Sequence, residues 1–282
     1  MLSGYVDTKL TKEKVKELLK LLETCNKYDG TKMQLYLNNR DDGDYKDYLY
    51  YNSDQLLGYL VVYPSYREGE VQVTGLVHPN SRRSGVFTHL LNSAITDVKE
   101  DKNTIRFIKD CNSQSGLSFL NYIGAKYIES SYTMQYQAGK IHEFTNSLLI
   151  SNAKMNEIDK LVEIGIEAFG TKEEEERPLV KTNIENDNRH LLVGYLNDQI
   201  IGCVLASIED GKATIGDLAV KKEYRKRGFG RELLYYIIKD VKELGVDEMH
   251  LSVYIDNENA LSLYESCGFT VKNALEFYKF NL

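Results

Sequence analysis

Asp217-Leu218-Ala219-Val220-Lys221-Lys222-Glu223-Tyr224-Arg225-Lys226-Arg227-Gly228 has a counterpart earlier in the chain, Thr74-Gly75-Leu76-Val77-His78-Pro79-Asn80-Ser81-Arg82-Arg83-Ser84-Gly85. The two align without a gap at an offset of 143 residues, 85 to 228, and the Leu90-Leu91 and Leu233-Leu234 pairs keep it. Leu57-Gly58-Tyr59-Leu60 matches Ile201-Gly202-Cys203-Val204, and Ile123-Gly124-Ala125 matches Cys267-Gly268-Phe269, both at 144. Matches strung along one offset mark a duplication. The 282 residues are two copies of a unit of about 140, in keeping with roughly 150 residues per domain. We place the copies at 1–140 and 146–282. The seam falls in the polar stretch 137–146, between a predicted strand at 132–136 and a fresh apolar run at 148–150.

The second copy gives the clearer pattern. Ile158, Leu161, Val162 and Ile166 recur at helical spacing, and Gly170 suits the helix end. The runs 191–196 and 199–208 flank Asn197-Asp198 and predict a strand hairpin. A strand follows at 213–220. Leu233, Leu234, Ile237, Ile238 and Val241 then share one helical face closed by Gly245. Met249, Leu251 and Val253 alternate as in a strand, Asp256-Asn257 offers N-cap chemistry for a helix through Ser266, and Phe277, Tyr278 and Phe280 predict a last strand. Strand and helix alternate, so an α/β or α+β layering is expected.

Composition narrows the function classes. An apolar content of 42% and a charged content of 27% are those of a folded chain with a core. No run approaches the roughly 18 apolar residues of a membrane span, and early charges at Asp7, Lys9, Lys12, Glu13 and Lys14 leave no secretory apolar region. Cys25, Cys111, Cys203 and Cys267 lie far apart with no C-x-x-C pair. That argues against a zinc ribbon or disulfide framework, so no metal and a reducing, cytoplasmic setting are expected. A formal net charge of -7 disfavours nucleic acid as a partner.

Arg225-Lys226-Arg227-Gly228-Phe229-Gly230 follows a predicted strand and opens an amphipathic helix. Glycines let backbone N–H groups approach a ligand, and a helix start carries partial positive charge. With three basic side chains this is a phosphate or pyrophosphate cradle; its plainer alternative is a basic turn capping a helix. The P-loop pattern G-x-x-x-x-G-K-[ST] is absent, and the dinucleotide pattern starting at Gly228 and Gly230 meets Leu233 where its third glycine belongs.

About thirty residues on stands Asn257-x-x-Ala260-x-x-x-Tyr264-x-x-x-Gly268-Phe269. Loop and motif together resemble the GNAT superfamily of N-acetyltransferases, and the likeness covers most of 148–282. The first copy resembles the same family more weakly. The resemblance implies two tandem GNAT-like domains, each a mixed, mostly antiparallel sheet flanked by helices, with acetyl-coenzyme A as cosubstrate and an amine-bearing acceptor. It implies that backbone groups of Leu218, Ala219 and Val220 pair with the pantetheine arm. The N–H groups of Arg225, Lys226, Arg227, Gly228, Phe229, Gly230 and Arg231 would hold the pyrophosphate, with Asn257 beside the pantetheine. A monomer or homodimer is expected.

Direct attack of an amine on a thioester needs a deprotonated amine, an oxyanion donor and a proton for the leaving thiolate. Tyr264 stands at the family's general-acid tyrosine; its plain alternative, in a chain with 21 tyrosines, is packing. Ser252 occupies the place of a strand glutamate that serves as base in the ribosomal-protein acetylating branch, so Asp217 is the nearest candidate base. Its alternative is a solvated strand-edge acid. His250 shares the face of Ser252. The acidic run Glu173-Glu174-Glu175-Glu176 is a solvated helix face or an attractant for a cationic amine.

In the first copy Phe87 replaces Gly230, Leu120 replaces Tyr264 and Ser113 replaces Asn257. Leucine cannot donate a proton, so this half is expected to shape structure or acceptor rather than catalyse. A non-catalytic acyl-coenzyme A-binding module is the alternative for the whole chain.

Overall fold

A computed structural model describes residues 4–35, 37, 45–65, 68–98, 102–137 and 147–282. In chain order the first copy runs β1 (Tyr5–Asp7), α1 (Lys12–Asp29), β2 (Lys46–Asn52), β3 (Gln55–Pro64), β4 (Glu70–Val77), α2 (Val86–Asp97), β5 (Thr104–Asp110), α3 (Gln114–Tyr122) and β6 (Lys126–Tyr136). The second runs β7 (Leu149–Asn152), α4 (Ile158–Phe169), α5 (Glu173–Glu185), β8 (Arg189–Leu196), β9 (Gln199–Glu209), β10 (Lys212–Val220), α6 (Phe229–Glu243), β11 (Glu248–Tyr254), α7 (Glu258–Ser266) and β12 (Phe269–Asn281).

The chain forms two compact units, Met1–Ser130 with Asn273–Leu282, and Ser131–Lys272. Division by repeat, at 1–140 and 146–282, and division by compactness therefore differ at two places. The second half of β6 pairs antiparallel with β11, His250 opposite Gln135 and Tyr254 opposite Ser131. The second half of β12 pairs antiparallel with β5, Leu275 opposite Asp110 and Asn281 opposite Thr104. Each copy ends in a strand, and nothing local in either strand marks which sheet it completes. The seam residues 138–146 lie outside the described residues; Gln137 donates its N–H to the carbonyl of Gly268 at 2.8 Å.

Within the first unit the strand order is β1-β2-β3-β4-β5-β12, and within the second β6-β11-β10-β9-β8-β7. Pairings are antiparallel except β4 with β5 and β10 with β11. The sheets are thus mixed and mostly antiparallel, as expected.

In the second unit α6 lays Leu233, Leu234, Ile237, Ile238 and Val241 on Ala213, Ile215, Met249 and Leu251, all essentially buried. At about 2 kcal/mol per buried aliphatic side chain, that stripe contributes on the order of 10 kcal/mol against the entropy of ordering the helix. The opposite face packs Leu161, Val162, Ile164 and Val180 of α4 and α5 on Val193, Cys203, Leu205 and Ala219. The hairpin turn at Asn197 and Asp198 has φ of 50 and 62°, a two-residue turn whose twist matches its strands.

Candidate functional site

The alternation of β10 breaks in its middle. Gly216 lies opposite Leu205 and Ala219 opposite Cys203, so Asp217 and Leu218 together oppose the single residue Val204. Asp217 takes φ 48°, rare for a residue with a side chain. Before this bulge the odd positions Ala213 and Ile215 face α6; after it Ala219 belongs to the core under α4 and α5. Bulges of this kind re-aim a side chain. Beyond Ile215, paired with Leu251, β10 has no partner in β11, so its edge over Gly216–Val220 is open on that side.

The strand then enters the glycine loop through a 3₁₀ turn, Lys222–Tyr224. Lys226 has φ 61° and Gly228 φ 89°, left-handed conformations that turn successive N–H groups the same way. Among the described residues, the main-chain N–H groups of Lys226, Arg227, Gly228, Phe229 and Gly230 have no hydrogen-bond acceptor. Arg225 and Arg231 differ. The Arg225 N–H closes the 3₁₀ turn on Lys222, and that of Arg231 bonds to Gly228 at 3.0 Å. The Arg225 Nε donates to the Val220 carbonyl at 2.7 Å and its Nη2 lies 3.4 Å from Glu167. Of the three basic side chains Arg225 therefore staples the loop, while Lys226 and Arg227 are exposed. A Cβ on Gly230 would meet Leu263 and Val220 only at 3.5 and 3.9 Å; its smallness leaves room between α6 and α7.

Asp217 is held by Asn183, whose Nδ2 donates to Oδ2 at 3.2 Å, while Arg189 donates in turn to Asn183 Oδ1. The Cys203 thiol donates to the Asp217 carbonyl at 3.7 Å. Asp217 keeps an exposed side, yet the packing around its carboxylate raises its pKa by desolvation; the Arg189 charge and the Asn183 hydrogen bond oppose the rise. Burial also pushes the Cys203 thiol up to about 12, with the Asp217 and Glu176 charges adding to the rise.

The acidic run divides. Glu173 pairs with Arg177 at 2.8 Å, Glu175 accepts from the Lys172 N–H at 3.1 Å, and Glu174 is exposed. These three are the solvated start of α5. Glu176 is only 8% exposed and accepts from the Thr171 hydroxyl at 2.7 Å. Desolvation raises its pKa, and the Asp217 charge adds to the rise.

Tyr264 sits half-buried on α7 in the core on the α6 side, edge-on to Phe269. Its hydroxyl has no hydrogen-bond partner among the described residues, and burial pushes it up to about 12. Asn257 caps α7, its Oδ1 accepting from the Ala260 N–H at 3.2 Å, which leaves its Nδ2 uncommitted. Ser252 is exposed on β11, and His250 bonds to Glu248 at 2.9 Å; no hydrogen bond joins Ser252 to His250. Asn183, Arg189, Thr171 and the separate fate of Glu176 escaped the sequence reading. The signal was present: Glu176, Val180 and Asn183 are spaced i, i+4, i+7, one buried face of a helix.

The first unit keeps the loop and loses what surrounds it. Its 3₁₀ turn is Pro79–Ser81, Arg83 has φ 58° and Gly85 φ 88°. But β4 pairs with β3 in unbroken register, and Leu120 is buried at 3% exposure. Phe87 stacks edge-on against Phe119 at 4.7 Å, its Cε2 2.8 Å from where a Cβ on Gly75 would stand. The ring fills space that Gly230 leaves open in the second unit.

Residues 158–269 match the acetyltransferase (GNAT) family. The [ribosomal protein bS18]-alanine N-acetyltransferase of Escherichia coli is 33% identical over 73 residues, covering 26% of this chain and 49% of that protein. An N-alpha-acetyltransferase of Sulfurisphaera tokodaii is 25% identical over 142 residues, covering 46% of this chain and 84% of that one. The chain spans about half the length of the first of these curated relatives. Two solved structures share the fold over nearly the whole chain. A GCN5-related N-acetyltransferase from Sphaerobacter thermophilus has a TM-score of 0.81 at 20% identity, covering 99% of this chain and 96% of that one. A tandem GNAT protein from the clavulanic acid biosynthesis pathway has 0.69 at 15%, covering 99% and 98%.

Proposed function

We propose, on the premise that residues 158–269 are a GNAT-family acetyltransferase domain, that this protein is an N-acetyltransferase whose second unit moves an acetyl group from acetyl-coenzyme A to a primary amine. The observation that carries the reading is the row of five acceptor-less N–H groups, Lys226 to Gly230, at the mouth of an open strand edge. A pyrophosphate suits such a row. Leu218, Ala219 and Val220 would offer the β10 edge to the amides of the pantetheine arm, and Asn257 its free Nδ2. Acetyl-coenzyme A, when bound, supplies an activated acetyl thioester and a thiolate leaving group.

Asp217 accepts the proton of the acceptor ammonium, its bulge aiming the carboxylate to the α4 and α5 side of the sheet. Tyr264 holds a proton for the sulfur. Burial keeps the phenol protonated at neutral pH, and the same desolvation raises the proton affinity of a thiolate expelled beside it. Direct transfer is favoured by the state of the cysteines: Cys203 and Cys267 are buried and their thiols pushed up, the reverse of an activated nucleophile. The curated relatives are named for acetylating an alanine and α-amino groups, which makes peptide N-termini the first acceptors to try.

Release of free coenzyme A in the presence of peptides, amino acids and small polyamines tests the proposal. Turnover on one of these classes is expected. Tight acetyl-coenzyme A binding with no turnover on any would instead make the chain a binding module.

A further inference from the structure

Asn183 closes the buried face of α5 and is only 5% exposed. Asparagine disfavours a helix interior, and a buried amide persists where its polar atoms find partners. Both ends of this one do. Its Oδ1 accepts from Nη1 of Arg189, and its Nδ2 donates to Oδ2 of Asp217 at 3.2 Å. The turn between α5 and β8 delivers the arginine. The Arg189 N–H donates to the Asn186 carbonyl at 2.9 Å, and the Asn186 side chain accepts from the Asn188 N–H at 2.9 Å. The chain thus folds back on the helix it has just left. A guanidinium has donors only, so Arg189 selects the amide oxygen of Asn183 and leaves the nitrogen for the carboxylate. The reverse flip would set donor against donor and acceptor against acceptor. Asp217 accepts through Oδ2, and among the described residues nothing donates to its Oδ1.

We propose that Asn183 and Arg189 are positioning residues for Asp217: Arg189 fixes the amide of Asn183, the amide holds Oδ2, and Oδ1 stays available for the proton of the incoming ammonium. This rests on the reading of Asp217 as base. In the step, one N–H bond of the ammonium breaks, its electron pair stays on nitrogen, and the proton moves to Oδ1, which later returns it to water. Among the described residues, the charged and titratable groups that interact with Asp217 are Arg189 from β8, the Cys203 thiol from β9 and Glu176 from α5. Arg189 is the one cation of that set. Its charge and the Asn183 hydrogen bond both favour the ionised carboxyl. Without Arg189 the amide is free to turn, and its oxygen then accepts from a protonated Asp217, which stabilises the state that cannot take a proton.

The test measures Asp217 itself, by carboxyl carbon-13 NMR titration of the full chain with Asp217→Asn to assign the signal, alongside the pH profile of kcat/KM. Asn183→Leu and Arg189→Met are each expected to move the Asp217 midpoint and the acid limb of the profile to higher pH by about one unit. The KM for acetyl-coenzyme A should not change. The double variant should fall short of the sum of the two shifts, because Arg189 acts through the amide. Arg189→Lys, which keeps a donor and a charge, should restore the wild-type midpoint; with Arg189→Met it carries the test if the buried Asn183→Leu folds poorly. An Asp217 midpoint unmoved in both single variants, or moved as far by lysine as by methionine at 189, overturns the proposal. A wild-type protein that acetylates no amine overturns the base reading instead, and the NMR midpoints still decide whether the arm governs Asp217.

Discussion

Thr74 and Asp217 hold the same position in the two copies and do opposite things to their strands. The Thr74 hydroxyl donates to the Ile108 carbonyl at 2.9 Å, tying β4 to β5 beyond their last paired residues, Val73 and Phe107. Asp217 sits at φ 48° in a bulge and makes no such tie, its side chain turned to Asn183. One copy closes the gap between its parallel strands; the other leaves it open. Phe87 against Phe119 fills the adjoining space in the first copy.

One acetyl-coenzyme A is therefore expected per chain. Gly228→Asp should abolish binding, since a carboxylate would stand in the anion cradle and φ 89° is strained for any side chain. Gly85→Asp, at φ 88°, carries the same strain and should lower stability by about 1–2 kcal/mol while leaving the stoichiometry at one. Calorimetry decides; a value near two, halved by either change, assigns a working site to the first copy.

Tyr264→Phe should lower turnover by about 10²–10⁴ with acetyl-coenzyme A affinity nearly unchanged. The hydroxyl has no protein partner to lose among the described residues, so its removal should not disturb the core around Phe269. Unchanged turnover, where chemistry limits the rate, removes Tyr264 from the mechanism.

Most of the fold lies in the sequence because its signals are local. The stripe Leu233 to Val241, the Asn197-Asp198 turn and the capping Asn257 each fix an element through neighbours a few residues away. The strand exchange is not local: 131–136 and 273–282 are built like any edge strand, and only tertiary pairing assigns them. Within the site, the glycine loop was legible from spacing alone. The role of Arg225 was not, since a basic side chain beside a cradle gives no hint that it will bond back to Val220. Glu176 was hidden by its three solvated neighbours.

The pH dependence of stability follows from Glu176. Its folded pKa is raised above the ordinary carboxylate value, first by desolvation and then by Asp217. In the window above that value the folded state binds more protons than the unfolded one, so stability falls as pH rises through it. Glu176→Gln should remove that loss. The variant is expected to melt about 2–4 °C higher than wild type at pH 8, the shift that about 1 kcal/mol gives in a domain of this size. The difference should shrink toward zero near pH 4. A variant less stable than wild type at pH 8 would mean that Thr171 bonds the carboxylate more strongly than burial penalises it.

The final prediction sets Arg82 against Arg225, one alignment position with two different partners. Both Nε atoms donate to the carbonyl ending the preceding strand, Val77 at 3.1 Å and Val220 at 2.7 Å. Arg82 also forms a two-pronged pair with Asp29, 2.7 Å at each nitrogen, with side chains 17% and 14% exposed. The Arg225–Glu167 contact is 3.4 Å between side chains 43% and 40% exposed. Removing one member of a largely buried pair costs about 3 kcal/mol or more, because the other charge is stranded; an exposed pair is worth at most about 1 kcal/mol. Arg82→Met should therefore lower the melting temperature by about 10 °C with one acetyl-coenzyme A still bound, and Asp29→Leu added to it should recover part of the loss. Arg225→Met should barely change melting but weaken acetyl-coenzyme A, because the loop is no longer fastened to Val220. If Arg82→Met weakens acetyl-coenzyme A binding and Arg225→Met does not, the cradle has been placed in the wrong copy.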